Sequence, residues 1–201
     1  MTPARLHRLP AAAAALAAAL VLSACALPAT APPQRAYDLG PGPAATPRPD
    51  GSLAWRLAGV TAPPWLSSEG MAYRLDTPAP SRLDHYRDNR WLAPPAALLT
   101  QRLRQQLLQQ PACPARPLPL LALHLDRFEQ QFSSPTQSQG VVALQATLWP
   151  QGADGPAVQQ HWQTQAPAPT PDAAGGVQAL TAATDALLPA VAHWVATQSC
   201  R

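Results

Sequence analysis

The chain has 201 residues, 14 basic residues that are all Arg, 11 acidic ones and a formal net charge of +3. With no Lys and no basic run or stripe, it lacks the electrostatic footprint of a nucleic-acid-binding protein. The length suits one domain with a sizeable core, and the abundance of Ala and Pro reads as genomic base bias.

Arg5, His7 and Arg8 precede a run of Ala, Leu and Val over residues 11–21, closed by Leu22-Ser23-Ala24-Cys25. A charged start, a short apolar core and small residues at the end predict a secretory signal peptide over 1–24. The run is too short to span a bilayer, which needs about 20 residues. Leu-Ser-Ala-Cys resembles the bacterial lipobox, whose cysteine is acylated, with chains such as palmitate, and becomes the first mature residue. The alternative is an ordinary secreted protein with a chance cysteine. Cys25 would then be a lipid anchor, and Ala26, where inner-membrane retention signals resemble Asp, points to the outer membrane with the domain facing the periplasm. Cleavage leaves 201 − 24 = 177 residues and removes Arg5 and Arg8, so 12 Arg face 11 acids. Residues 25–34 are Pro- and Ala-rich and read as a tether.

The single domain is expected over 35–201. Tyr37 to Leu39 opens it as a strand, and a Pro/Gly loop follows. Leu53, Trp55 and Leu57 alternate with Ala54, Arg56 and Ala58, which predicts a strand running to Val60 and stopped by Pro63-Pro64. Met71 to Leu75 and Arg82 to Arg87 are two further short strands. Pro94-Pro95 starts a helix, because proline's missing N–H costs nothing in a first turn, and Ala96, Leu99, Leu103 and Leu107 share one face.

Residues 118–132 form the longest β-prone run. Leu121, Leu123 and Leu125 are expected on one face, with Ala122, His124, Asp126 and Phe128 on the other. Val142, Leu144, Ala146 and Leu148 give the next strand, and a Gly/Asp turn leads to Val158, Gln160, Trp162 and Thr164, so three strands make an antiparallel meander. Asp172 is an N-cap candidate for a helix whose Val177, Leu180, Thr184, Leu187, Leu188, Val191, Trp194 and Val195 follow helical spacing. Pro189 inside it predicts a kink or two pieces. The expected fold is α+β: a mostly antiparallel sheet of about five to six strands with both helices on one face.

Pro64-Trp65-Leu66, Met71-Ala72-Tyr73-Arg74-Leu75, Tyr86, Arg90-Trp91-Leu92-Ala93-Pro94-Pro95, Leu99 and Arg102-Leu103 occur in an order and spacing that resemble the ABC-type transport auxiliary lipoprotein family, including the paraquat-inducible protein C-like lipoproteins. Tyr37-Asp38-Leu39-Gly40-Pro41 is similar to the family's opening strand. The resemblance implies a non-catalytic accessory subunit of an ABC lipid transporter that works with a membrane-anchored MCE-domain protein and a separate permease and ATPase. It permits homo-oligomeric rings. Many relatives resemble Leu-Asp-Arg where this chain has Leu66-Ser67-Ser68.

Two more cysteines, Cys113 and Cys200, are expected to pair in an oxidising compartment; the alternative is two independent buried thiols. His85, His124, His161 and His193 lack HxH, HExxH or paired-Cys spacing, which gives a metal site little support. His124 and His161 lie on separate predicted strands and can meet in space. Ser67-Ser68-Glu69-Gly70 is a turn, not a nucleophile elbow, there is no phosphate loop, and no cofactor is expected beyond the lipid on Cys25. Function then rests on surface. Trp65 and Leu66, after the Pro-Pro break, with Tyr73, Arg87 and Arg90, are the candidate partner-docking residues; the alternatives are a Trp65 loop folded back onto the sheet and a solvated strand face on which Arg82, Arg87 and Arg90 pair with Asp84 and Asp88, while Trp91 and Trp194 read as core. The rival is a stand-alone lipid-binding or envelope-assembly lipoprotein, which requires a deep apolar pocket between helices and sheet; an enzyme ranks third.

Overall fold

The structure is a computed structural model that describes residues 33–43, 55–107, 118–151 and 155–199. The signal segment, Cys25, most of the tether, Leu53, Cys113, Cys200 and residues 152–154 of the Gly/Asp turn before Val158 lie outside the described residues. The domain is a compact unit over Gln34–Arg201.

Among the described residues, seven strands and two long helices follow one another: β1 (Arg35–Tyr37), β2 (Arg56–Thr61), a 3-10 turn (Pro64–Leu66), β3 (Gly70–Leu75), β4 (Leu83–Trp91), α1 (Pro95–Leu107), β5 (Leu120–Ser134), β6 (Gln137–Trp149), β7 (Val158–Pro167) and α2 (Ala173–Ser199). They form one sheet in the order β1-β4-β3-β5-β6-β7, with β2 also on β5. The expected meander is present: β5, β6 and β7 pair antiparallel.

The sheet is mixed, and the expectation of mostly antiparallel pairing is corrected here. β1 runs parallel to β4, and both β2 and β3 run parallel to β5. The reason is the crossover. β4 and α1 intervene between β3 and β5, so the chain is carried back far enough for parallel pairing, which short connections forbid. β2 holds the first part of β5 through Arg56↔Leu120 to Thr61↔His124, and β3 holds its later part through Tyr73↔Gln130 to Leu75↔Phe132.

A bulge decides the faces of β5. The register slips between Leu125 and Arg127, so the alternation restarts. Phe128, expected beside His124, instead joins Leu121, Leu123 and Leu125 in the core, fully buried. Arg127, Glu129 and Gln131 are left on the face of His124 and Asp126.

The core face continues across β6 as Leu148, Ala146, Leu144 and Val142, and α2 covers it with Leu180, Ala183, Leu187, Val191 and Val195. Thr164 of β7 donates to the Ala183 carbonyl at 2.9 Å, which sets the helix down on the sheet. A Cβ on Gly140 would stand 2.5 Å from the Leu180 backbone N, so glycine is what allows this approach. α2 is long and apolar enough to cross a bilayer, but half of that stretch is buried within the domain. Pro189 is exposed, and the helix runs through it as one element. Asp172 caps it, accepting from the Gly175 N–H at 2.8 Å, as its position before the apolar pattern requires.

α1 buries Leu98, Leu99 and Leu103 beside α2 and over β2. Trp91 is fully buried against Phe128, with ring centroids 5.3 Å apart. Trp194 is half-buried and meets Trp162 edge-on at 5.3 Å.

Candidate functional site

Of the docking candidates singled out in sequence, Trp65, Leu66 and Arg90 lie at or against one turn, and Tyr73 and Arg87 lie away from it. Pro63 and Pro64 preset the backbone of the 3-10 turn and, and Leu66 anchors it in the core at 3% exposure, while Trp65 between them is 60% exposed. Leu66 therefore supports the turn rather than offering a surface. Ser67 Oγ donates to the Pro64 carbonyl at 2.6 Å, and Ser68 Oγ accepts from Gly70 N–H. The Ser-Ser-Glu-Gly stretch is thus a turn closed on itself.

The turn is then bonded to β4. The Trp91 N–H donates to the Glu69 carbonyl at 2.7 Å, and Arg90 Nη1 reaches Glu69 Oε2 at 2.7 Å. One residue on, the Leu92 N–H donates to the Tyr37 carbonyl at 2.6 Å. Leu92 is 63% exposed, so the segments Pro64–Leu66 and 90–92 each present one large apolar side chain to solvent from a hydrogen-bonded frame. Between the end of β2, the turn and the outer flank of α1 runs an open groove of about 800 Å³. Val60, Ala62, Pro94, Ala96 and Ala97 give it an apolar floor, and Arg104 stands among its polar residues.

Arg87 is well exposed and spans Asp88 with two guanidinium nitrogens, a pairing within one strand. Tyr73 is half-buried and packs on Tyr86 at 4.9 Å and edge-on to Phe132 at 6.1 Å. Tyr86 donates to Gln130 Oε1 at 2.8 Å, and Gln130 Nε2 donates to Ser138 Oγ at 2.8 Å, a chain across three strands. Burial, more than the neighbouring Asp172, pushes the Tyr86 phenol up to about 12. Tyr73 thus belongs to an internal cluster, apart from the exposed pair Trp65 and Leu92.

Behind the turn, α1 is pinned by a residue whose role the sequence did not disclose. Arg102 is 3% exposed; its Nη2 donates to the Leu39 carbonyl at 2.5 Å, and its Nε lies 3.2 Å from Asp185 Oδ1 on α2. The Nε and Oδ1 atoms are near but not aligned, so the contact is an ion pair without a hydrogen bond. Burial raises the Asp185 carboxyl above its ordinary range despite the adjacent guanidinium. The sequence signal was available: 99, 102, 103 and 106 form one helix face.

The face of the sheet away from the helices is a carpet of long polar side chains. Glu129 accepts from Arg74 Nε at 2.9 Å and from Arg127 Nη2 at 2.6 Å, and Gln131 donates to Asp76 at 2.7 Å. Burial alone would raise the Glu129 carboxyl, but the two guanidinium partners outweigh it and hold the group below its ordinary value. His124 and His161 also meet on this face, on either side of Asp126.

Two solved structures share this architecture. A DUF330 protein from Xanthomonas campestris superposes with a TM-score of 0.65 over 81% of this chain and 95% of that one, at 21% identity. A second, described as an uncharacterized protein, gives 0.61 over 82% and 99%, at 16% identity. No curated protein matches. The sequence model that matches residues 37–192, from the last residue of β1 through the turn, β4, the Arg102 helix and most of α2, is that of the ABC-type transport auxiliary lipoprotein component, and the chain belongs to that family.

Proposed function

We propose that this protein is a non-catalytic lipoprotein subunit of an MCE/ABC-type lipid transport system, held in the outer membrane by acylated Cys25 and docking the periplasm-spanning MCE component through the Trp65 turn. The observation that carries the docking surface is Trp65 itself, 60% exposed on a turn braced by Pro64, Leu66 and the Glu69–Arg90 pair. A large aromatic held rigidly at the surface loses little entropy on binding and is the residue type that anchors interfaces. The physical mechanism is a tether plus a surface. The lipid confines the domain to one leaflet, residues 25–34 set its reach, and the raised local concentration favours the partner. The ATPase and permease are separate chains.

The filled space between helices and sheet supports docking over lipid carriage, because a carrier needs a concave apolar chamber there. Leu121, Leu125, Leu144, Leu180 and Leu187 occupy that space instead. The test is an affinity pull-down from crosslinked cells with tagged full-length protein beside Cys25→Ala. Recovery of an MCE-domain protein with its ABC partners, weakened by Cys25→Ala, supports the reading; recovery of lipid with no MCE protein overturns it in favour of a stand-alone carrier.

A further inference from the structure

We propose that the open groove beside the Trp65 turn seats a short apolar peptide segment of the docking partner, and that a carboxylate on this segment meets Arg104. This seat rests on the docking reading above and adds what the partner must bring to it. The groove is continuous with the turn: Ser67, which caps the Pro64–Leu66 turn two residues after Trp65, forms part of its wall. Another wall is the flank of α1 that the buried Leu98, Leu99 and Leu103 leave unused.

The lining changes character along α1. Pro94, Ala96 and Ala97, at the start of the helix, join Val60 and Ala62 in an apolar stretch, and Gln101 and Arg104 follow toward its end. Val60, Ala62, Pro94 and Ala96 are half-buried, so apolar surface is left for a partner to cover and. Arg104 is the charged residue of this lining, and it is exposed. Arg74, Arg82, Arg87, Arg90, Arg102 and Arg127 each pair with a carboxylate at 2.6 to 3.2 Å, whereas Arg104 has no carboxylate partner among the described residues. An unmatched cation at one end of an apolar groove complements a segment that carries apolar side chains and an acid, and the charge selects and orients it more than it holds it. From Ala96 to Arg104 the helix rises about 12 Å, the reach of about two helical turns or four extended residues. Ala62 leads directly into the turn, so the partner's apolar side chains lie nearest Trp65 and its carboxylate lies that distance further on.

A peptide fits this groove better than a free lipid does. A small molecule is held by a concavity that buries most of its surface, and this groove is open on its solvent side. A segment joined to whatever covers Trp65 needs less enclosure. Its contact with the groove is a second, intramolecular one, favoured by effective concentration.

The test is photocrosslinking in cells expressing the full-length protein, with the crosslinker replacing the exposed groove residue Gln101 or, separately, Trp65, and with the captured peptides read by mass spectrometry. Position 101 is expected to capture the same protein as position 65, through a peptide with apolar residues and an Asp or Glu within about eight positions of them. Arg104→Glu should cut the yield from 101 by about tenfold or more, because it sets like charges against each other, and Arg104→Lys should keep most of it. Arg104 is exposed, so both variants are expected to fold, which circular dichroism checks. With a crosslink at 65, three results overturn the groove alone: no crosslink at 101, a lipid or a second copy of this chain at 101, or a yield there that Arg104→Glu leaves unchanged. Silence at both positions overturns the groove and the Trp65 surface together. The expected peptide from 101 with silence at 65 upholds the groove and tells against the Trp65 surface.

Discussion

Arg102 and Asp185 bring the two helices of this domain together with their charges 3.2 Å apart, and the same guanidinium donates to the carbonyl of Leu39 beyond β1. One buried cation thus joins the opening strand's exit, α1 and α2. Arg102→Ala removes the partner of a partly buried acid and the donor of a carbonyl, and is expected to cost about 3 kcal/mol. Asp185→Asn keeps an acceptor and removes a charge that burial disfavours, so its cost should be smaller. Denaturant melts of the two variants check the order.

Glu129 and Asp185 make opposite contributions to acid stability. The folded-state pKa of Glu129 is lowered, so its contribution is present above the ordinary glutamate value and is lost as pH falls through the lowered one. The folded-state pKa of Asp185 is raised, so its contribution is present below the ordinary aspartate value and is lost as pH rises through the raised one. Glu129→Gln should therefore flatten the loss of stability on acidification and cost about 2 kcal/mol at neutral pH, discounted because Arg74 and Arg127 are 22% and 31% exposed and. Tm measured from pH 3 to 7 reads both effects.

Gly140 should not tolerate a side chain. A Cβ there would meet the backbone of Leu180 at 2.5 Å and of Ala179 at 2.6 Å, so α2 would have to lift off β6. Gly140→Ala is expected to destabilise the domain by about 3 kcal/mol, measured by chemical denaturation.

Trp65→Ala separates stability from binding. The side chain is mostly in water, so the change should move stability by less than about 0.5 kcal/mol. Under the docking proposal it should sharply reduce partner recovery, whereas Leu66→Ala, at a core position, should lower Tm first.

Local periodicity disclosed much of the fold. The meander, α1 from its Pro-Pro start and the Asp172-capped stripe of α2 each depend on residues close in sequence. What escaped was nonlocal. β2 and β3 sharing β5 in parallel depends on a crossover that no window contains, and the bulge that sends Phe128 inward interrupts the alternation that would otherwise place it outside. The same applies to the sites. Trp65 was legible because two prolines make a turn that holds an aromatic out, but Leu66 beside it is an anchor. Arg102 was quoted beside Leu103 without being read as buried, and cross-strand register is what brings His161 of β7 to Asp126 and His124 of β5.

The most direct test of the docking claim is site-specific photocrosslinking in cells expressing the full-length protein, with the crosslinker placed at position 65 and, as a control, at exposed position 198 on α2. The account predicts a crosslink to an MCE-domain protein from position 65 and none from position 198. An MCE crosslink from 198 alone, or none from either position, would contradict it.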